Sequence, residues 1–177
     1  MIYIGIDPGL KGAIAVIDGA GKVLQILDTP TITFKKGKKT RTEYDLPGIK
    51  SILKEFSQNR IILQEEGPTE IIVFLEKMQT MPPGIRSQAS FSLGYSQGIF
   101  EAFLCGFEIA YQLVLPKTWQ KHFGISKDRG DIKVQSFIVA SKLFPDAKLV
   151  GPRGGKKDGR SDALLIAEWG KRQCNKI

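Results

Sequence analysis

Ile2-Tyr3-Ile4-Gly5-Ile6-Asp7 is a short apolar run that ends on a carboxylate. Its β-branched and aromatic residues read as a buried strand. Residues 13–17 and 23–27 supply two further runs, joined through Asp18-Gly19-Ala20-Gly21, a tight-turn signal. That spacing predicts three antiparallel strands. Further out, Leu46, Ile49, Ile52, Leu53 and Phe56 recur every three or four residues and predict an amphipathic helix. Ile71-Ile72-Val73-Phe74-Leu75 is a second strand-length run, and it too ends on an acid, Glu76.

A loop over 78–86, with Pro82-Pro83-Gly84, leads into a long helix over 88–107. That helix is apolar on several faces through Phe91, Leu93, Ile99, Phe100, Phe103 and Leu104, so it needs cover on two sides. One part is expected on the sheet and another against a second subunit, where Gly94 and Gly98 would let a backbone approach. A strand over 109–115 is stopped by Pro116, and a basic-aromatic segment follows over 117–123. A helix over 132–144 ends at Pro145, a Gly/Lys-rich loop spans 151–160, and a closing helix spans 161–172. Lys35, Lys36, Lys38, Lys39 and Arg41 crowd around Gly37 in residues 31–41, which read as a mobile basic loop with no apolar period. It is either a clamp on phosphates or a solvated surface.

The predicted class is α/β: a mixed five-stranded sheet, antiparallel in its N-terminal strands, with flanking helices. This order matches the RNase H-like architecture, and no repeat or linker divides residues 1–177, which read as a single domain. A net charge of +8 suits an anionic partner. Cys105 and Cys174 lack metal-ligand spacing and suggest a reducing compartment. The first strand begins at Ile2, and no apolar run reaches about 18 residues. A cytoplasmic protein of a bacterial cell or phage-infected host is expected, with no membrane partner, or an organellar one if a leader was removed.

The acids carry the chemistry. Asp7 and Glu76 end strands, and Asp158 and Asp162 flank the start of the last helix, four residues apart and so on one face. A carboxylate beside buried apolar residues costs several kcal/mol unless paired or metal-bound. Oxygen donors without a His or Cys cluster suit a hard cation, Mg²⁺ or Mn²⁺. Two such ions can activate water and stabilise a leaving oxygen in phosphodiester cleavage. Taken singly, Asp7-Pro8-Gly9 reads first as a turn and Asp162 first as a helix cap. Acids on three separate segments shift the balance toward a site.

Ile4-Gly5-Ile6-Asp7-Pro8-Gly9, Phe74-Leu75-Glu76-Lys77 and Asp158-Gly159-Arg160-Ser161-Asp162-Ala163-Leu164-Leu165-Ile166-Ala167 together resemble the RuvC-type Holliday junction resolvases. The resemblance extends through Leu93-Gly94-Tyr95-Ser96-Gln97-Gly98, Pro116-Lys117-Thr118-Trp119-Gln120-Lys121 and Lys133-Val134-Gln135, leaving out residues 31–41. The Asp-Gly-Arg-Ser-Asp form looks closer to the plastid and phage-like branch than to the usual bacterial pattern, which spaces its last two acids by three. Which of the two binds which ion stays open. The family implies a homodimer that resolves four-way DNA junctions in recombination and repair by paired two-metal hydrolysis, leaving 5′-phosphate and 3′-hydroxyl ends.

By this resemblance Asp7, Glu76, Asp158 and Asp162 are catalytic metal ligands for two Mg²⁺ ions, with Mn²⁺ as a substitute. Lys133 and Lys117 match basic positions near the scissile phosphate. Lys77, Met78, Arg86, Lys121, Lys156 and Lys157 are further candidates for DNA contact. The loop after Glu76 carries Met78 and Met81 where the family has an aromatic residue, so base preference does not carry over. His122 reads as a surface residue more than a base, and Trp119 and Phe123 as packing anchors more than stacking groups. Arg86, Ser87 and Gln88 read evenly as phosphate binders or a helix cap. Other functions open to these residues are an RNase H-like nuclease on branched, hybrid or single-stranded substrates, and a junction-binding protein that has lost cleavage. A sugar-kinase-like ATPase needs a second domain for which this chain is too short.

Overall fold

The computed structural model describes residues 1–37, 39–58, 70–79, 87–152 and 154–175, without the side chains of Lys36 and residues 87–90. In chain order the strands and helices are β1 (Ile2–Asp7), β2 (Ala13–Asp18), β3 (Val23–Asp28), β4 (Thr31–Lys36), β5 (Lys39–Tyr44), α1 (Leu46–Ser57), β6 (Ile71–Glu76), α2 (Ser87–Gly106), β7 (Tyr111–Val114), α3 (Pro116–His122), α4 (Ile132–Leu143) and α5 (Asp158–Cys174). A short 3₁₀ turn at Lys127–Arg129 precedes α4.

Five strands form one mixed sheet in the order β3-β2-β1-β6-β7. The first three are antiparallel, and β6 and β7 join in parallel. The expected sheet is the observed one. Side chains alternate across β1, so Ile2, Ile4 and Ile6 enter a core shared with Ile49, Leu53 and Phe56 of α1 and Phe100 and Leu104 of α2. Tyr3 enters the opposite core, with Leu164 and Ile166 of α5. On β6, Val73 and Leu75 take the α1–α2 side, and Phe74 takes the α5 side. Period two therefore sends Asp7 (after Tyr3 and Gly5) and Glu76 (after Phe74) to the α5 face.

α5 lies directly on that face. At Gly5 a Cβ would overlap the Ala163 carbonyl, and at Gly159 it would meet the Lys11 carbonyl and Gly12 backbone. Both positions need a residue without a side chain so that the helix can touch the strand and the turn after it. Gly159 to Gly170 are buried almost without break, apart from Arg160 and Asp162.

Two readings of the sequence need correction. Residues 31–41 are not an irregular loop: β4 and β5 form an antiparallel hairpin in register from Thr31↔Tyr44 to Lys36↔Lys39. Threonines alternating with Ile32, Phe34 and Arg41 give this segment a strand period that its crowd of cations obscured. Gly37, at φ +61°, takes the left-handed backbone of the turn. The last helix also begins earlier, at Asp158, so Gly159 and Arg160 belong to its first turn and not to the preceding loop. Among the described residues, no helix is long and apolar enough to cross a membrane.

Candidate active site

Asp7, Asp158 and Asp162 line one open cleft of about 740 Å³ with Lys133, Lys156, Lys157, Asp28 and Thr31. Each arrives by a separate local device. Asp7 is the last residue of β1, and its Oδ1 accepts the Gly9 N–H at 3.3 Å, which tightens the turn leaving the strand. Asp158 and Asp162 are one helical turn apart on α5, whose start is pressed onto the β1–β2 turn at Gly159. Asp131 caps α4 by accepting the Lys133 N–H at 2.7 Å, and this sets the first turn from which Lys133 reaches Asp158. Glu76 stands half-buried at the end of β6, where Trp119 Nε1 donates to its Oε1 at 2.8 Å.

Electrostatics tie the four acids together. Burial raises the pKa of Asp7, and the nearby Asp158 adds to the rise while Gly9 and Lys133 oppose it. Glu76 is pushed up to about 8, first by burial and then by Asp7 and Asp162. Asp162 is pushed up to about 7 by burial and by Asp7 and Asp158. Ser136 of α4 opposes that rise, yet Asp162 Oδ1 and Ser136 Oγ both remain buried without a hydrogen bond of good geometry. Lys133 Nζ pairs with Asp158 Oδ2 at 3.1 Å, and that contact raises the lysine pKa.

This donor set fits a hard divalent cation. Three carboxylates with raised pKa values and one orphaned buried oxygen are what a cation would satisfy. They do not form a finished chelate: among the described residues, no group of three acidic, histidine or cysteine side chains is spaced to hold an ion. Lys133, exposed at the cleft, is bound to Asp158.

The other candidates divide. Lys156 is exposed in the cleft, 4.8 Å above the Phe137 ring. Lys157 is committed to Asp28 Oδ2 at 3.1 Å. Lys117 and Lys121 line a different pocket, with Lys127 and Arg129. Lys77 is exposed, and its N–H bonds to the Val114 carbonyl. The Met78 N–H is held by Gln97 Oε1 of α2 at 2.8 Å. Arg86 and Met81 lie outside the described residues, as do the side chains of Ser87 and Gln88. His122 is absent from the cleft lining and instead faces Arg172 and Phe123.

Sequence reasoning missed three site neighbours. Asp28 ends β3 and takes two hydrogen bonds from Arg160, at 2.6 and 3.0 Å, which hold its pKa below the ordinary value. Arg160 also donates to the Lys148 carbonyl at 2.8 Å, so one guanidinium ties the α5 start to β3 and to the preceding loop. The signal was available, because Asp28 ends its strand on an acid as Asp7 does. Trp119 was read as a packing anchor more than a stacking group; it is fully buried, and it also donates to Glu76. Tyr44, whose hydroxyl donates to the Pro8 carbonyl at 3.1 Å, had no signal in the sequence.

Sheet order, helix placement and acids at strand ends define an RNase H-like α/β fold. Its solved neighbours include Thermus thermophilus RuvC in complex with a Holliday junction substrate: TM-score 0.53 and 12% identity, covering 94% of this chain and 90% of that one. A second Thermus thermophilus RuvC structure matches with TM-score 0.53 and 11% identity over 98% of this chain and 97% of that one. At such identity the likeness is one of fold. No protein-family model and no curated protein sequence matches the chain.

Proposed function

We propose that this protein is a divalent-metal-dependent endonuclease that resolves four-way DNA junctions as a homodimer. The observation that carries the reading is the gathering of Asp7, Glu76, Asp158 and Asp162, from three separate segments, at one end of a RuvC-like sheet. Their mutual electrostatic effect means that the four cannot all ionise comfortably without added positive charge. The four carboxylates are the residues that would hold Mg²⁺ or Mn²⁺, two ions per site. Bound there, the metal supplies water activation and charge stabilisation for phosphodiester hydrolysis.

The protein's own groups then have distinct tasks. Trp119 keeps Glu76 oriented toward the cleft, and Arg160 with Asp28 holds the start of α5 in place. Lys133, which pairs with Asp158 at 3.1 Å, would offer its ammonium to the scissile phosphate. Lys156, Lys77, Lys117 and Lys121 give the DNA backbone positive surface on both sides of the acids. A junction as substrate follows from the neighbour that was solved with one. The dimer reading rests on α2, where Gly94 and Gly98 meet nothing within 4 Å among the described residues and Phe91 and Tyr95, stacked at 6.0 Å, are 72% and 47% exposed. Ala102 and Cys105 continue that exposed stripe.

Labelled synthetic four-way junctions and matched linear duplexes, incubated with Mg²⁺ or with chelator, test this function. Symmetric nicks in the junction only, lost in chelator and lost in Asp7→Asn while binding persists, are expected. Equal cutting of both substrates removes the junction reading and leaves the nuclease. Normal cutting by Asp7→Asn removes the site.

A further inference from the structure

The β4–β5 hairpin stands apart from the main sheet. Its strands pair with each other and make little contact with any other element. A two-stranded ribbon alone is marginally stable in water. This one is anchored at its base, where Asp45 N–H donates to the Pro30 carbonyl, Tyr44 bonds to Pro8, and the Tyr44 and Tyr95 rings meet edge-on at 6.0 Å. The base is also the cleft rim: Thr31 lines the cleft together with Asp7, Asp158 and Asp162.

Beyond that rim the ribbon leaves apolar side chains in water. Ile32 and Phe34 are 41% and 49% exposed. By register they share a face with Arg41, opposite Phe34, and with Glu43, opposite Ile32; Lys39 lies two residues from Arg41 on the same face. Lys35 occupies the other face. The segment carries five basic residues and one acid, and the acid is paired with Arg41 at 2.7 Å. A second copy of the same hairpin would bring like charges together across such a face, and like charges opposed across strands destabilise pairing. A polyanion has no such conflict.

Resting on the reading of the cleft as a DNA site, we propose that this hairpin is a nucleic-acid arm that grips the duplex entering the cleft. Lys39 and Arg41, on the face shared with Phe34, take backbone phosphates, and Phe34 lies against the groove wall beside them, while Lys35 on the other face adds to the positive field of the arm. Six residues per strand reach about 20 Å, or about six nucleotides along one DNA strand. A two-stranded ribbon has a width that the major groove admits. The arm thereby adds affinity remote from the reacting phosphate and leaves the chemistry to the acids.

The test uses the full chain and the variant Lys35→Gln/Lys39→Gln/Arg41→Gln, with Phe34→Ala as a second. Binding of a fluorescent four-way junction is measured in chelator across a salt series, and single-turnover cleavage in Mg²⁺ at saturating protein. The triple variant is expected to bind about tenfold more weakly at 0.1 M salt, with the log–log salt slope reduced by about two. Phe34→Ala is expected to weaken binding less and leave the slope alone. Saturated cleavage should be unchanged in both. An affinity and slope equal to wild type overturn the arm, and they leave the nuclease standing if the protein still cuts. Hairpin-dependent binding by a wild-type protein that cuts no DNA supports the arm and removes the nuclease. Loss of self-association in Phe34→Ala with DNA affinity unchanged overturns the arm in favour of contact between copies.

Discussion

The two longest helices flank the same sheet, and they reverse what their sequences suggest. α2 is rich in Phe, Leu and Ile, yet it leaves Phe91, Gly94, Tyr95, Gly98 and Ala102 in solvent. α5 carries Asp158, Arg160, Asp162, Glu168, Lys171 and Arg172, and its middle is buried almost all round between the sheet and α4. Composition does not decide which helix is covered; close approach does. Gly5 and Gly159 let α5 sit on the strand and turn, and the charges it takes with it are either paired, as Glu168 is with Lys171 and Arg172 at 2.8 and 2.7 Å, or left in strain, as Asp162 is. The covered helix carries two of the four candidate acids, and the half-covered one offers an exposed stripe.

The largest expected effect is at the strained acid. Asp162→Asn removes one of the proposed metal ligands and should lower single-turnover junction cleavage by about 10³-fold or more, equivalent to about 4 kcal/mol of barrier. The same variant should melt higher than wild type in chelator at pH 8, because a neutral amide avoids a buried charge. Cleavage within tenfold of wild type would show that α5's burial does not serve the site.

Next comes the contact that seats α5. Gly5→Ala puts a methyl group into the Ala163 backbone, and backbone cannot move aside cheaply. Overpacking of this kind typically costs about 1–3 kcal/mol, and here the upper end is expected, read as a lower urea midpoint with cleavage falling in parallel. A neutral result would mean that α5 does not lie on β1 as described.

A smaller, graded effect follows from pH. Glu76 and Asp162 have folded pKa values near 8 and 7, above the ordinary 4.5 and 3.8. The folded state therefore holds protons that the unfolded state gives up. Stability from these groups is complete below about pH 4 and is lost as pH rises through 7 to 8. In chelator the melting temperature should fall from pH 5 to pH 8. Mg²⁺ should restore more stability at pH 8 than at pH 6, because at pH 6 it must displace protons. A melting temperature that is flat across that range, with and without metal, breaks the link between burial of the acids and a cation.

Much of this was legible from residues alone. The strands ending on Asp7 and Glu76 were visible because period two and β-branching run unbroken up to each acid, and a mixed five-stranded sheet followed from them, though not the order of its strands. The hairpin was not, because five cations suggested solvation while the alternation of Thr with Ile32 and Phe34 was short. Asp28 and Trp119 were missed for another reason: each matters through one partner, Arg160 or Glu76, distant in sequence. Spacing along a chain reports the faces of an element and is silent on which faces meet.

The smallest effect is on the uncovered helix and mirrors Gly5→Ala. At Gly98 a Cβ would meet nothing within 4 Å among the described residues, so they do not resist alanine there. Glycine in a helix interior costs up to about 1 kcal/mol relative to alanine. Gly98→Ala should therefore raise the melting temperature slightly at concentrations where the chain is monomeric. In a dimer joined through α2 the same methyl separates two backbones, so sedimentation should show weaker self-association. A gain in stability with association unchanged would place the dimer contact elsewhere, whereas a loss in the monomer would mean that α2 is covered by a part of its own chain.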